Sequence, residues 1–225
     1  MNLLITPLGQ IARDIPGASE LLYQQGIDYS CAGKTTLADA LDAQALDIAE
    51  TVNALNYLVK HPAPATPSLS EASNEEIINH ILERYHQVHR QQLPELLDLA
   101  DRVETVHASH PACPKGLTEH LQKMSQEMES HMLKEEQILF PIIQRGMAHM
   151  ATSPVAVMRM EHDDHSESIK QLQHLANNFE VPADACNTWQ TLNQKLKIFK
   201  QDLINHIHIE NNILFERIDN YLRGA

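Results

Sequence analysis

His131-Met-Leu-Lys-Glu135-Glu-Gln-Ile-Leu139-Phe140 returns later in the chain as His206-Ile-His-Ile-Glu210-Asn-Asn-Ile-Leu214-Phe215. Both copies have the form His-x-x-x-Glu-x-x-x-Leu-Phe. On a helix, residues four apart stand one above the other, roughly 5–6 Å apart between Cβ atoms. Each copy therefore aims an imidazole and a carboxylate in one direction, as a metal site between helices requires. A second pair of motifs keeps step with the first. His86-Gln-Val-His89 begins 45 residues before His131, and His162-Asp-Asp-His165 begins 44 before His206. The chain thus contains an internal repeat of two helices, each bringing His-x-x-His and then His-x-x-x-Glu.

Outward from these motifs, the apolar residues recur at alternating steps of three and four. The second of four long helices is read over about 114–146, with a stripe of Leu117, Leu121, Met124, Met128, His131, Glu135, Ile138 and Ile142. The fourth, about 185–222, carries Trp189, Leu192, Leu196, Phe199, Leu203, His206, Glu210 and Ile213. The first runs from a capping box at Ser73-Asn-Glu-Glu76 to about Val106, with a kink expected at Pro94; its stripe includes Leu82, His86, His89, Leu93 and Leu96. The third, about 154–178, offers Val155, Met158, His162, His165, Ile169, Leu172, Ala176 and Phe179. Such stripes are the inward faces of an up-down four-helix bundle in an all-α protein. Residues 1–60 read as a small helical N-terminal domain carrying Cys31, and 61–72 as a Pro-rich linker, leaving 73–225 for the bundle.

The seams therefore hold six histidines and two glutamates, with no lysine or arginine among them. An unpaired buried carboxylate costs several kcal/mol, and a cation between the helices relieves all of these groups together. Four imidazoles and two carboxylates arriving in two matching halves suffice for two ions, about 3.5–4 Å apart, with the glutamates bridging. Nitrogen and oxygen donors suit iron, manganese or zinc. The spacing does not choose between His86 and His89, or between His162 and His165. A ferritin-type site needs Glu-x-x-His twice. Glu83 precedes His86 in that way, but Arg159 stands at the matching place before His162.

Composition removes several classes of function. A formal net charge of −13 provides no basic surface for nucleic acid. No run of 18 apolar residues is present to span a membrane, and the N-terminus lacks the pattern of a signal peptide. Three cysteines, Cys31, Cys113 and Cys186, without paired spacing, fit a reducing compartment, so a cytoplasmic protein is expected. Gly33-Lys34-Thr35 imitates the end of a P-loop, but Asp28 occupies the place of its first glycine.

The repeated His-x-x-x-Glu resembles the haemerythrin-like domain. Together with Leu-Leu-Tyr-Gln-Gln-Gly-Ile-Asp-Tyr-Ser-Cys-Ala-Gly-Lys34 in the N-terminal module, it resembles the iron-sulfur cluster repair proteins (YtfE/ScdA type, also called repair of iron centres). The resemblance covers essentially the whole chain. It implies an oxo-bridged non-haem di-iron centre, two iron ions held by His86, His131, Glu135, His162, His206 and Glu210. It leaves His89 and His165 as outer or substrate-side groups; Glu127 and Glu161, which flank the seams, are read as lining an access path. Relatives commonly carry two adjacent cysteines where this chain has Ser30-Cys31, which leaves one thiol, in a turn ahead of a helix, as the reactive group. The implied function is repair of iron-sulfur clusters damaged by nitrosative or oxidative stress, by iron delivery. Damaged iron-sulfur proteins are the implied partners, nitric oxide or oxygen the small ligands, and a homodimer the assembly. A di-iron nitric oxide reductase and a small-ligand carrier are the alternatives.

Overall fold

The computed structural model describes residues 2–62 and 69–224, so half of the expected Pro-rich linker, residues 63–68, lies outside the described residues. The fold is all-α: a four-helix bundle with a small N-terminal helical domain. Contacts divide the chain into two compact units, Met1–Ile77 with Ile204–Ala225, and Ile78–Leu203.

In the first unit the N-terminal helices are α1 (Leu8–Asp14), α2 (Ala18–Gln24), α3 (Leu37–Ala43) and α4 (Ile48–Lys60). Leu8, Ile11, Ala18, Leu22, Leu37, Leu41 and Leu55 are all buried in one cluster, with Ile204 packed against it. Helices of seven residues are too short to persist alone, so this shared apolar core holds them. Side-chain caps help: Thr36 accepts from the amide of Asp39, and Asp47 accepts from those of Ala49 and Glu50. Helix α1 falls outside the sequence reading, because seven residues behind Pro7 show too little periodicity to register.

The first bundle helix comprises Asn74–Ile81, a π turn at Leu82–His86, and Gln87–Val106. The expected capping box forms: the Ser73 amide donates to Glu76 at 2.7 Å and the Glu76 amide to Ser73 Oγ at 3.2 Å. The helix runs on through Pro94, and a π turn lies ahead of it. The second comprises Leu117–Lys134, a π turn at Glu135–Leu139, and Phe140–Gln144. The third is one uninterrupted helix, Ala148–Leu175. It starts six residues before Pro154, where the sequence suggested its first turn, because Ala148 and Ala151 are buried and extend the packed stripe. It closes through Asn177, Asn178 and Phe179, all in the left-handed region (φ 50, 54 and 61°). Asparagine tolerates that conformation, and burial of Phe179 offsets its cost. The fourth comprises Asn187–Ile209, a π turn at Glu210–Leu214, and Phe215–Gly224; it passes from the second unit to the first at Leu203–Ile204.

The π turns change which residues face inward. Along the second helix the stripe holds through Glu135, but Ile138 is 52% exposed while Leu139, Phe140 and Ile143 are buried. One extra residue in the turn advances the stripe by one position, so the expected Ile138 and Ile142 give way to Leu139 and Ile143. In the first helix the buried residues Ile81 and His86 stand five apart for the same reason, and Leu82 is only half-buried. The uninterrupted third helix keeps its expected stripe, with Val155, Met158, His162, His165, Ile169 and Leu172 all buried.

Candidate metal centre

Within the second unit, His86, His131, Glu135 and His162 are all at most 3% exposed. His86 closes the first π turn and Glu135 opens the second. Glu135 stands between two imidazoles, one oxygen towards each: Oε2 lies 3.3 Å from His86 Nε2 and Oε1 lies 3.5 Å from His131 Nε2. His162 Nε2 is 3.1 Å from His131 Nε2. One ligand atom from each of His131, Glu135 and His162 falls within 4.8 Å of the others.

The outer faces of the rings decide what the inner nitrogens can do. Nδ1–H of His86 donates to Glu136 Oε1 at 2.8 Å, and Nδ1–H of His131 donates to Glu161 Oε2 at 2.8 Å. A ring whose single proton sits on Nδ1 turns the lone pair of Nε2 towards the Glu135 carboxylate. Lone pairs facing a carboxylate repel unless positive charge lies between them. A proton answers one such approach at a time, whereas a divalent cation answers all of them together. The donor set therefore fits a metal of the iron, manganese or zinc type.

Each outer carboxylate is itself held by a cation. Arg90 donates to Glu136 Oε1 at 2.8 Å and to both oxygens of Glu129 at 2.9 and 3.0 Å. Lys134 pairs with Glu161. Burial pushes the Glu136 carboxyl up, but the hydrogen bonds from Arg90 and His86 outweigh it and hold the group below the usual carboxylate range. These are carboxylate–histidine pairs of the kind that fix ring orientation at metal sites. Glu136 and Arg90 escaped the sequence reading, because a residue next to Glu135 on a regular helix faces elsewhere; the acidic doublet Glu135-Glu136 was the available signal.

The remaining assigned residues of this unit separate into different surroundings. His89 is fully buried, with its ring edge-on to Phe199 (5.6 Å) and Nδ1 3.1 Å from Gln92 Oε1. Gln92 in turn donates to Asp202, which also accepts from Arg84. His165 is 4% exposed, its ring 5.0 Å from that of His131. Glu127 is exposed, 3.7 Å from Lys123 one turn away. Glu127, Glu161 and His165, with Lys123 and Lys134, line a groove of about 850 Å³ along the second and third bundle helices.

In the first unit, His206 and Glu210 are 2% and 0% exposed, with His206 Nε2 3.2 Å from Glu210 Oε1. Burial, with the charge of Arg13, pushes the neighbouring His208 down to about 4, so its ring is neutral at pH 7. Cys31 is half-buried and in no disulfide. Its loop is organised by Asp28, whose Oδ1 accepts from the amides of Ser30 and Cys31 at 3.0 Å and from Ser30 Oγ at 2.9 Å. Helix α3 starts six residues after the thiol. Cys113 is half-buried, and burial with the charge of Glu104 pushes its thiol up. Cys186 is exposed, with Sγ 3.2 Å from His107 Nε2.

Comparison with known proteins agrees with this chemistry. Residues 77–218 match the hemerythrin HHE cation binding domain, and residues 5–59 match a domain of unknown function named ScdA_N. Proteins named iron-sulfur cluster repair protein YtfE from Citrobacter koseri, Shigella boydii serotype 4 and Escherichia coli K12 are each 44% identical over 211 residues. That alignment covers 94% of this chain and 95% of each relative.

Proposed function

The chain belongs to the iron-sulfur cluster repair (YtfE) family, whose bundle is a hemerythrin-type cation-binding domain, and on that premise we propose that it supplies iron to damaged iron-sulfur clusters. The ligands we assign are His86, His131, Glu135, His162, His206 and Glu210, holding an oxo-bridged pair of iron ions. The observation that carries this reading is Glu135, fully buried between the Nε2 atoms of His86 and His131 while both rings are committed outward through Nδ1. Support for His206 and Glu210 comes from the repeat, in which they stand where His131 and Glu135 stand, and from a domain match that runs through both.

When bound, the pair supplies exchangeable iron and open positions for small ligands such as nitric oxide or oxygen. The protein's own groups do the rest. Glu136 and Glu161 hold the rings of His86 and His131 in the tautomer that carries a proton on Nδ1. Glu161 and His165 also line the groove that Glu127 borders, and we assign that groove as the path by which iron passes to a client. The clients are damaged iron-sulfur proteins, met by a homodimer in the cytoplasm. That setting is supported by three cysteines, none of them paired in a disulfide among the described residues.

The test is repair of an oxidatively inactivated iron-sulfur hydratase. Iron-loaded protein should restore activity, whereas metal-free protein and an iron-treated Glu135→Leu variant should not. Equal restoration by the metal-free form would overturn the assignment.

A further inference from the structure

The side chain of Asn212, in the π turn that opens with Glu210, is 5% exposed and enclosed by backbone. Its Nδ2 donates to the carbonyls of Tyr29 and Ser30, each at 3.0 Å, and lies 3.1 Å from His208 Nδ1. Two glycines make room for it. A Cβ on Gly9 would sit 2.3 Å from Asn212 Oδ1, and one on Gly33 would sit 2.0 Å from it. Both distances are far inside contact, so glycine is required at both positions as long as Asn212 keeps its place. The two glycines are joined to each other, the Gly9 amide donating to the Gly33 carbonyl at 2.9 Å. Gly33, the apparent P-loop residue, is thus one wall of a socket for a carboxamide.

Neighbouring side chains of the same helix fasten the same loop. Asn211 Nδ2 donates to Ser30 O at 3.2 Å, and Tyr29 OH donates to Asn205 Oδ1 at 2.8 Å. Asn205 immediately precedes His206, and Asn211 and Asn212 immediately follow Glu210. The loop carrying Cys31 is therefore attached on both sides of the second His-x-x-x-Glu motif.

We infer that Asn212 is a positioning residue that locks the Cys31 loop onto the Glu210 turn, so that metal binding at Glu210 and the accessibility of the Cys31 thiol are coupled. The inference rests on the reading of Glu210 as a ligand. A metal that orders the turn also orders the carbonyls of Tyr29 and Ser30, and a loop that lets go loosens the turn. By linkage the coupling is reciprocal. Asn212→Ala removes the donor shared by two buried carbonyls and leaves them without it. Gly33→Ala attacks the same socket from the opposite wall.

The experiment is site-resolved alkylation of the full-length protein by N-ethylmaleimide, read by mass spectrometry, with and without added Fe(II). Iron content and far-UV circular dichroism are measured in parallel. In the wild type, iron should slow alkylation of Cys31 while leaving Cys186 unchanged. In Asn212→Ala the iron-free rate at Cys31 should rise by about tenfold, the ratio one buried hydrogen bond is worth, and the response to iron should disappear. Asn212→Gln, which keeps the donor but overfills the socket, should give an intermediate rate; it also serves if the alanine variant fails to fold. A wild type that takes up iron with no change at Cys31 would overturn the coupling and leave the ligand assignment standing. A wild type that takes up no iron would overturn both. Equal Cys31 rates in folded Asn212→Ala and wild type would overturn the role of Asn212.

Discussion

The two His-x-x-x-Glu copies share a motif, a π turn and a following Leu-Phe, yet their neighbours are used in opposite ways. In the first copy the residue after Glu135 is Glu136, which turns back to His86 and is held there by Arg90. In the second copy the residues after Glu210 are Asn211 and Asn212, which hold the carbonyls of the Cys31 loop. The residues before the histidines differ likewise, Ser130 in one copy and Asn205 in the other. The histidine and the glutamate are the same in both copies, whereas the adjacent positions serve whatever packs against them. In one half they hold the ring of His86, and in the other they attach a thiol-bearing loop.

That contrast can be broken at each level. The largest effect is expected at the shared carboxylates. Glu135→Leu should abolish iron uptake, and the gain in melting temperature that iron gives the wild type should vanish with it. That gain corresponds to about 2.7 kcal/mol at a hundredfold excess of metal over its Kd. Without metal, Glu135→Leu should melt no lower than the wild type, because it removes a buried charge. A calorimetric scan of the four samples checks both statements.

Next come the residues that differ between the copies. Glu136→Leu frees His86 Nδ1 and should weaken iron binding by about 10- to 100-fold in a chelator competition. Alkylation of Cys31 in the metal-free protein should be unchanged. Asn211→Ala should do the reverse and to a smaller degree: a rise in Cys31 alkylation worth about 1 kcal/mol, with iron affinity moved less than by Glu136→Leu. If both variants gave the same pattern, the division of labour between the copies would be wrong.

Much of this was legible from residue types and spacing. The third helix behaves as its pattern says, from Val155 to Leu172, because nothing interrupts its 3.6-residue period. The second helix departs after Glu135, where Ile138 turns outward and Leu139 inward. A π turn is a choice of backbone hydrogen bonding and leaves no period to read. For the same reason Glu136 could not be assigned to His86 from its place in the chain. His86 and His89 are equally buried, and only their partners tell them apart: Glu135 and Glu136 for one, Phe199 and Gln92 for the other. Gly33 read as a failed phosphate loop because the group that requires it, Asn212, lies 179 positions further along.

The most direct test of the whole account is an anaerobic titration of metal-free protein with Fe(II), followed by limited oxidation, counting iron per chain and recording the optical spectrum. The account predicts saturation at two iron ions per chain, with the absorption of an oxo-bridged ferric pair, and loss of both in Glu135→Leu. A folded protein that binds no iron, or that binds the same amount after Glu135→Leu, would contradict it.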